Sequence, residues 1–572
     1  MMEGGFAGID ISPIAAHLTA SGLSNMAPSV AYQNTNIGVV PIGESEGWTG
    51  SVEFLRQTEL RDLFGGTHTQ AAHAASLVGS ASSDGYTLRA PYNSFDVVVM
   101  NPPYQRARGG QKLFDVAGVR EEHRKLAVRN AGKIIAGTPA NMKAGLGSVF
   151  AVLAVKTARP GGRVGLVLPM TAAASPSWAD TRVMLETHLD DLVLVSFAAG
   201  SGGRVHSMSA DTHMGEMLVV GTKRSVPRSG GDDAHVVTAI LNGSFSNLID
   251  AAETGRLVSR SVSRRNGRKE GVVMLGEHQR ARWGVTPLTD GDPWPYVGAS
   301  HAGIVALAER LCRQDEFVPL DSHEPACRIP MTTVGELFQV GPTHHLIGHP
   351  TGREPIGQFV FYPRVDRRTR KDLSLWATDS KSQTSILVEP THYGIEHGDD
   401  PDSMRALAST LFYQRNIDWR SQKILVAATK KPAMGGSAWT ALIVDDPAVR
   451  FGFALWANST LGMAVHWSRA QRQQLGRSRT QIGAIKKMPC PDFHHPDLHA
   501  AAQEMMEHQP GLLTLRLDRA KNAHRDGARQ NLDDKVAEML GTPLKGGESE
   551  TLRDLASNWC AEPSVSHYPK KG

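Results

Sequence analysis

Hydrophobic and polar positions up to Arg224 alternate between short apolar runs and amphipathic stretches. Phe6-Ala7-Gly8-Ile9-Asp10-Ile11 reads as a short strand, and Pro13 then opens a helical stretch through Leu18 that Gly22 can end. A second strand is expected within Val30 to Val40. A helix follows from Ser51, a candidate N-cap, to Phe64, with Gly65-Gly66 as its stop. Thr67 to Tyr92 is rich in Ala, Ser and Gly and reads as a surface insertion. Phe95 to Met100 is a continuous apolar run after Asp96, the pattern of a strand buried on both faces of a parallel sheet. Gly147 to Ala158 reads as a helix, Arg163 to Leu168 as a strand and Asp180 to Leu189 as a helix. Leu192 to Phe197 and Glu216 to Gly221 are two further strands able to form a hairpin. Such alternation predicts a doubly wound α/β domain, with ligand sites at the carboxyl ends of its strands.

The alternation is lost from Ser225 to about Pro491, where short β-like runs are separated by polar loops. A separate, strand-rich α+β domain is expected there, followed by amphipathic helices over Leu498 to Met506 and Leu512 to Leu540. The expected division is therefore residues 1–224, 225–491 and a helical region 492–572.

At 572 residues, with 41% hydrophobic and 21% charged side chains, the chain has the composition of folded globular domains. A net charge of +4 permits nucleic-acid binding without requiring it, so the distribution of charge matters more. Three basic clusters lie in the middle region. They are Arg260, Arg264, Arg265, Arg268 and Lys269; Arg364, Arg367, Arg368, Arg370 and Lys371; and Arg469, Arg472, Arg477, Arg479, Lys486 and Lys487. Cys312, Cys327, Cys490 and Cys560 form no metal-ligand spacing and read as isolated reduced thiols of a cytoplasmic protein. Lys156, Arg159 and Arg163 interrupt the most apolar stretch, Ser148 to Pro169, so no membrane span is expected, and no signal peptide is read at the N-terminus.

The chemistry concentrates at Asn101-Pro102-Pro103-Tyr104, directly after the Phe95 to Met100 strand. An exocyclic base amine is a poor nucleophile because its lone pair is delocalised into the ring. Hydrogen-bond acceptors that draw its two protons toward themselves move the nitrogen toward tetrahedral geometry. The Asn101 side-chain oxygen and the Pro102 carbonyl are candidates for that role. Two prolines stiffen the turn and add no competing N–H. Tyr104 offers an aromatic face for a base rotated out of a duplex.

With these residues the chain resembles the N6-adenine DNA methyltransferases whose specificity domain follows the catalytic domain, as in type I modification subunits and type IIG enzymes. Phe95 to Tyr104 matches the family's target-amine motif, and Gly8-Ile9-Asp10-Ile11-Ser12-Pro13 looks like its second cofactor motif. The resemblance implies a Rossmann-like class I methyltransferase sheet and S-adenosyl-L-methionine as cofactor. It implies Asn101, Pro102, Pro103 and Tyr104 as catalytic residues and Asp10, Ile11 and Ser51 as cofactor contacts. Asp10 has a structural alternative, capping the helix that begins near Pro13. The family's glycine-rich first motif has no match before Gly8, which predicts weak cofactor binding and an incomplete sheet. A late start codon, an interrupted gene or a split enzyme with a partner chain would each account for this. Glu53 and Asp84 are candidates for a third cofactor acid, and Met208 or Phe197 for a second wall against a flipped base.

Ile424 to Val426, Ala454 to Gly462, Ile482 to Ile485 and Met488-Pro489-Cys490-Pro491 resemble the closing half of the family's specificity domains. Arg469, Arg472, Arg477 and Arg479 lie among them, and Arg suits guanine edges and phosphates. The expected partner is double-stranded DNA, with a further nuclease, specificity or motif-supplying chain also possible. The leading reading is adenine-N6 methylation in restriction-modification or phage defence. The alternatives are an RNA or protein amino-methyltransferase, cytosine-N4 methylation, and a DNA-binding remnant or split subunit. No nuclease or metal motif is found.

Overall fold

The computed structural model describes residues 6–10, 12–26, 37–39, 92–103, 121–197, 216–229, 235–242, 247–265, 270–287, 327–341, 372–375, 383–390, 406–418, 422–436, 438–470, 472–474 and 477–542, with a few shorter pieces elsewhere. The chain divides into two compact units. The first holds Met1–Val195, Glu216–Thr238 and Val285–Pro293; the second holds Ser196–Gly215, Ala239–Gly284 and Trp294–Gly572. The fold is mixed α/β. No described helix is long and apolar enough to cross a membrane, and no group of three or more metal-ligating side chains gathers among the described residues.

The first unit begins with β1 (Gly8–Asp10), α1 (Pro13–Met26), β2 (Ile37–Val39) and the two-residue β3 (Ser76–Leu77). β1 and β2 pair in parallel, Gly8 to Ile37 through Asp10 to Val39, and β3 runs antiparallel to β2. Ala16 and Ala20 of α1 meet Ile37 and Val39 in a small core. Gly22 does not end α1. It faces solvent inside the helix, where a glycine costs only about 1 kcal/mol relative to alanine.

The larger sheet of this unit contains β4 (Phe95–Met100), β5 (Ala158–Pro169), β6 (Leu189–Phe197), β7 (Glu216–Lys223) and β8 (His235–Leu241), in the order β8-β6-β7-β5-β4. β4 runs parallel to β5, while β7 is antiparallel to both β5 and β6, so β6 and β7 form the expected hairpin pair. α2 (Glu121–Ile135) and α3 (Leu146–Thr157) precede β5. α2 was not legible from apolar periodicity, although Glu121 and Glu122 at its start and Lys133 near its end suit the helix dipole. α3 is buried on almost every face. Gly147 gives it close contact with Trp178: a Cβ there would stand 2.7 Å from the indole.

β4 departs from expectation. Val98 is only 8% exposed, but Val97 is 61% and Val99 72% exposed, and Asp96 is exposed as well. β4 is the end strand of its sheet rather than an interior one. α3 packs on β4, and the two-residue side-chain period turns Val97 and Val99 away from the face that carries Val98.

In the second unit, α4 (Leu248–Ser263) accompanies a hairpin of β9 (Glu270–Leu275) and β10 (His278–Pro287). The main core gathers around β11 (Ser409–Gln414), β12 (Val426–Gly435) and β13 (Trp439–Ile443), against α5 (Pro447–Asn458) and α6 (Thr460–Arg469). Asn458, fully buried, accepts from the Leu425 and Val426 amides at 2.7 and 3.1 Å and donates to the Val426 and Ala454 carbonyls at 2.8 and 2.9 Å. One side chain thus satisfies the strand entry and the helix end that would otherwise lose their bonds. The helices after Pro491 share this core through Leu498, Met505, Leu532 and Val536. Thr460 donates twice to buried Asp533, both at 2.7 Å, and Arg529 donates to the Asn458 carbonyl at 2.8 Å.

Tyr413 on β11 donates its hydroxyl to His466 Nδ1 of α6 at 2.5 Å, inside the core. Burial lowers the His466 pKa from 6.5 to about 3. Between those values the unfolded chain binds the proton and the folded chain does not, so stability falls as pH falls through that window. The expected slope from this group is about 1.4 kcal/mol per pH unit. Urea unfolding of this unit between pH 6 and pH 4.5, followed by tryptophan fluorescence, should show that loss, and His466→Phe should remove this one-proton component. An equal slope in the variant would place the proton uptake elsewhere.

Candidate active site

β4 is aimed by the contacts at its start. Asn93 adopts a left-handed φ of 56°, and the Asn93 and Ser94 amides donate to the Lys156 and Thr157 carbonyls at the end of α3, at 2.9 and 3.0 Å. Lys223 of β7 donates Nζ to Asn93 Oδ1 at 2.5 Å and to the Ala158 carbonyl at 2.8 Å. Burial holds the Lys223 pKa below the usual lysine value. Arg159 and Asp96 pair at 2.7 Å, but both are exposed, so the pair adds at most about 1 kcal/mol.

Close approach of the two parallel strands depends on Gly162. A Cβ at that position would lie 2.8 Å from the Phe95 and Arg159 carbonyl oxygens, where the β4–β5 register shifts between Phe95 and Val97. Beyond this irregularity the pairing is regular, Val97 to Arg163 through Met100 to Leu166. Asn101 therefore emerges at the carboxyl end of β4. It is exposed, Pro102 is buried and Pro103 is exposed. Tyr104 lies outside the described residues.

A cavity of about 320 Å³ brings together two of the sequence-predicted residues. Gly8, Ile9 and Asp10 form one wall; Phe95 and Val97 to Asn101 form the other; Phe150, Leu153 and Thr157 of α3 also line it. Asp10 and Asn101 thus share a single, mostly apolar space. Asp10 Oδ1 accepts from the Ser12 amide at 2.7 Å, while Ser12 Oγ accepts from Ala15 at 3.4 Å and serves as the N-terminal cap of α1. Asp10 therefore holds the turn into α1 with one oxygen and stands beside the cavity as well. Ile11, Ser51, Glu53, Asp84 and Met208 lie outside the described residues. Phe197 packs near Phe245, with ring centroids 6.5 Å apart.

In the second unit, β14 (Asn416–Asp418), β15 (Arg472–Gln474) and β16 (Arg477–Arg479) make a small antiparallel sheet in the order β14-β16-β15. It gathers Arg472, Arg477 and Arg479 on neighbouring strands, and Arg479 is exposed. Arg469 ends α6 and is half-buried. The structure adds Arg415, which donates Nε to the Thr480 carbonyl at 3.0 Å. Burial and the neighbouring charge of Arg479 lower its pKa to about 10. Its membership of the cluster follows from pairing of Asn416 with Arg479, a long-range register that no local spacing reveals. Arg260, Arg264 and Arg265 line a separate groove of about 340 Å³ with Val272, Met274 and Trp283. Arg268, Lys269 and the cluster from Arg364 to Lys371 lie outside the described residues.

No protein family profile matches the sequence, and no curated protein matches it. Among solved structures the chain is similar to the type IIG restriction endonuclease BpuSI, with 10% identity and a TM-score of 0.30, over 82% of this chain and 54% of that one. The DrdV–DNA complex matches with 10% identity and a TM-score of 0.29, over 82% of this chain and 56% of that one. The ATP-dependent type ISP restriction-modification enzyme LlaBIII, bound to DNA, matches with 10% identity and a TM-score of 0.27, over 61% and 24% of the two chains. The chain thus spans about half the length of the first two and about a quarter of the third. Likeness at this level assigns no activity.

Gly162→Ala should force β4 and β5 apart, because the new methyl group would meet backbone oxygens rather than movable side chains. The expected cost is about 1–3 kcal/mol. Native-state amide exchange of Val97 to Met100 reads it directly; unchanged exchange would show that the strands approach less closely.

Proposed function

We propose that the chain is the amine-activating part of a DNA methyltransferase that acts on adenine N6, with S-adenosyl-L-methionine as donor, in restriction-modification or phage defence. The observation that carries this reading is the position of Asn101. It is an exposed amide at the carboxyl end of a parallel strand, braced by two prolines and sharing a cavity with Asp10.

The Asn101 side-chain oxygen accepts one proton of the target amine and the Pro102 carbonyl accepts the other. Localising the lone pair in this way makes the nitrogen a competent nucleophile, and no strong base is required before attack. Because Pro102 and Pro103 have no N–H and restricted φ, the acceptors are held in place before the base arrives, which lowers the entropic cost of alignment. Tyr104 is assigned the stacking face for the flipped adenine. The arginines of β15 and β16, with Arg415, are assigned to the DNA backbone and base edges.

The cavity fits only part of the donor. Asp10 suits the ribose hydroxyls, and the apolar lining suits an adenine ring. The described lining residues include no charged partner for the donor's amino-acid end besides Asp10 itself, a carboxylate. No catalytic step is therefore assigned to donor contacts in this chain.

Incubation with unmethylated plasmid and labelled S-adenosyl-L-methionine at millimolar concentration tests the reading. Label should appear as N6-methyladenine, and Asn101→Ala should reduce the rate by about 100-fold or more, the scale of losing a positioned acceptor in a preorganised site. Label on cytosine, on RNA or on protein, or equal rates for the two chains, would contradict it.

A further inference from the structure

The cavity beside β4 has the shape of a missing strand. It follows β4 from Phe95 to Asn101, about 20 Å for six extended residues. β4 ends its sheet, and β1, which forms the opposite wall, ends a different one. Interior strands of the larger sheet bury their apolar side chains, as Leu166, Leu194 and Val219 do completely. Val97 and Val99 of β4 remain largely exposed. A flat apolar edge of this length is an aggregation liability unless another strand covers it.

We infer that an apolar β-strand from a separate polypeptide enters the slot between β1 and β4, pairs along β4, and is followed by a segment that covers Val97 and Val99. The lining specifies the occupant's chemistry. Val98, Met100, Phe150 and Leu153 select β-branched or aromatic side chains, and the one charged lining residue, Asp10, stands at the end of β1. A compact ligand would contact one end of β4 and leave the rest of its edge bare. A strand offers backbone donors and acceptors along the whole length, the general mode of recognition by strand addition. The inference rests on the geometry of the sheet and not on methyl transfer by this chain.

The test is selection of random dodecapeptides displayed on phage against the full chain, with counter-selection on Val97→Lys/Val99→Lys. Both valines are exposed, so the variant keeps its fold, which circular dichroism verifies. Enriched peptides should share a proline-free run of β-branched or aromatic residues. Made synthetically, they should slow amide exchange of Val97 to Met100 in the natural chain and bind the variant about tenfold or more weakly. Absence of enrichment, or equal binding to the variant, would show that no foreign strand enters the slot. Equal slowing of the same amides by S-adenosyl-L-methionine alone would make the slot a small-molecule site instead. Each of these readouts is independent of methylation, so a chain that fails to transfer methyl groups can still pass, and an active chain can still fail.

Discussion

Close parallel pairing between β4 and β5 determines the geometry of the first unit. Gly162 permits the approach, because any side chain there would strike the Phe95 carbonyl. Lys223 fastens the start of β4 to the start of β5 through Asn93 and the Ala158 carbonyl. α3 lies buried against both strands, and Gly147 lets its backbone settle beside Trp178. With the start of β4 fixed and its register set by β5, the position of Asn101 follows. An acceptor meant to reshape an amine must be rigid before substrate binds, and a sheet supplies that rigidity better than a loop.

The second unit relies on buried polar groups satisfied inside an apolar core. Asn458 replaces missing backbone partners, and Asp533, kept near Arg529, receives both donors of Thr460. These bonds tie the helices after Pro491 to the β11–β13 core, so residues distant in sequence share one hydrophobic interior. The arginine-bearing strands β14 to β16 are fixed to that core where Arg415 donates to Thr480. A charged surface on such a support can hold several guanidinium groups at set spacings, which phosphate and base-edge contacts require.

Much of the first unit was legible in the sequence because its elements carry strong local signals. Continuous apolar runs marked β4 and β5, and Pro13 marked the start of α1. Asn101 and Asp10 were identifiable because strand ends are where such chemistry is placed, and both line one cavity. The burial of β4 was misread: a run of valines has the same composition whether or not a neighbour covers both faces, and Val97 and Val99 lack that cover. Gly22 likewise resembled a stop, although a solvent-facing glycine can be carried inside a helix. α2 was missed because its charged face outweighs its apolar one, and Arg415 because its place depends on pairing with residues far along the chain.

What unites these observations is a site with a fixed amine-binding side and an open slot beside it. The exposed edge of β4, the apolar walls and the lack of a charged partner for the donor's amino-acid end have one consequence for affinity. Calorimetric titration of the full chain with S-adenosyl-L-methionine measures that consequence directly. The account predicts a dissociation constant weaker than about 100 μM, or less than about 5.5 kcal/mol of binding free energy. Low-micromolar affinity for the chain by itself would contradict it, because the cavity between β1 and β4 would then already be a complete donor site.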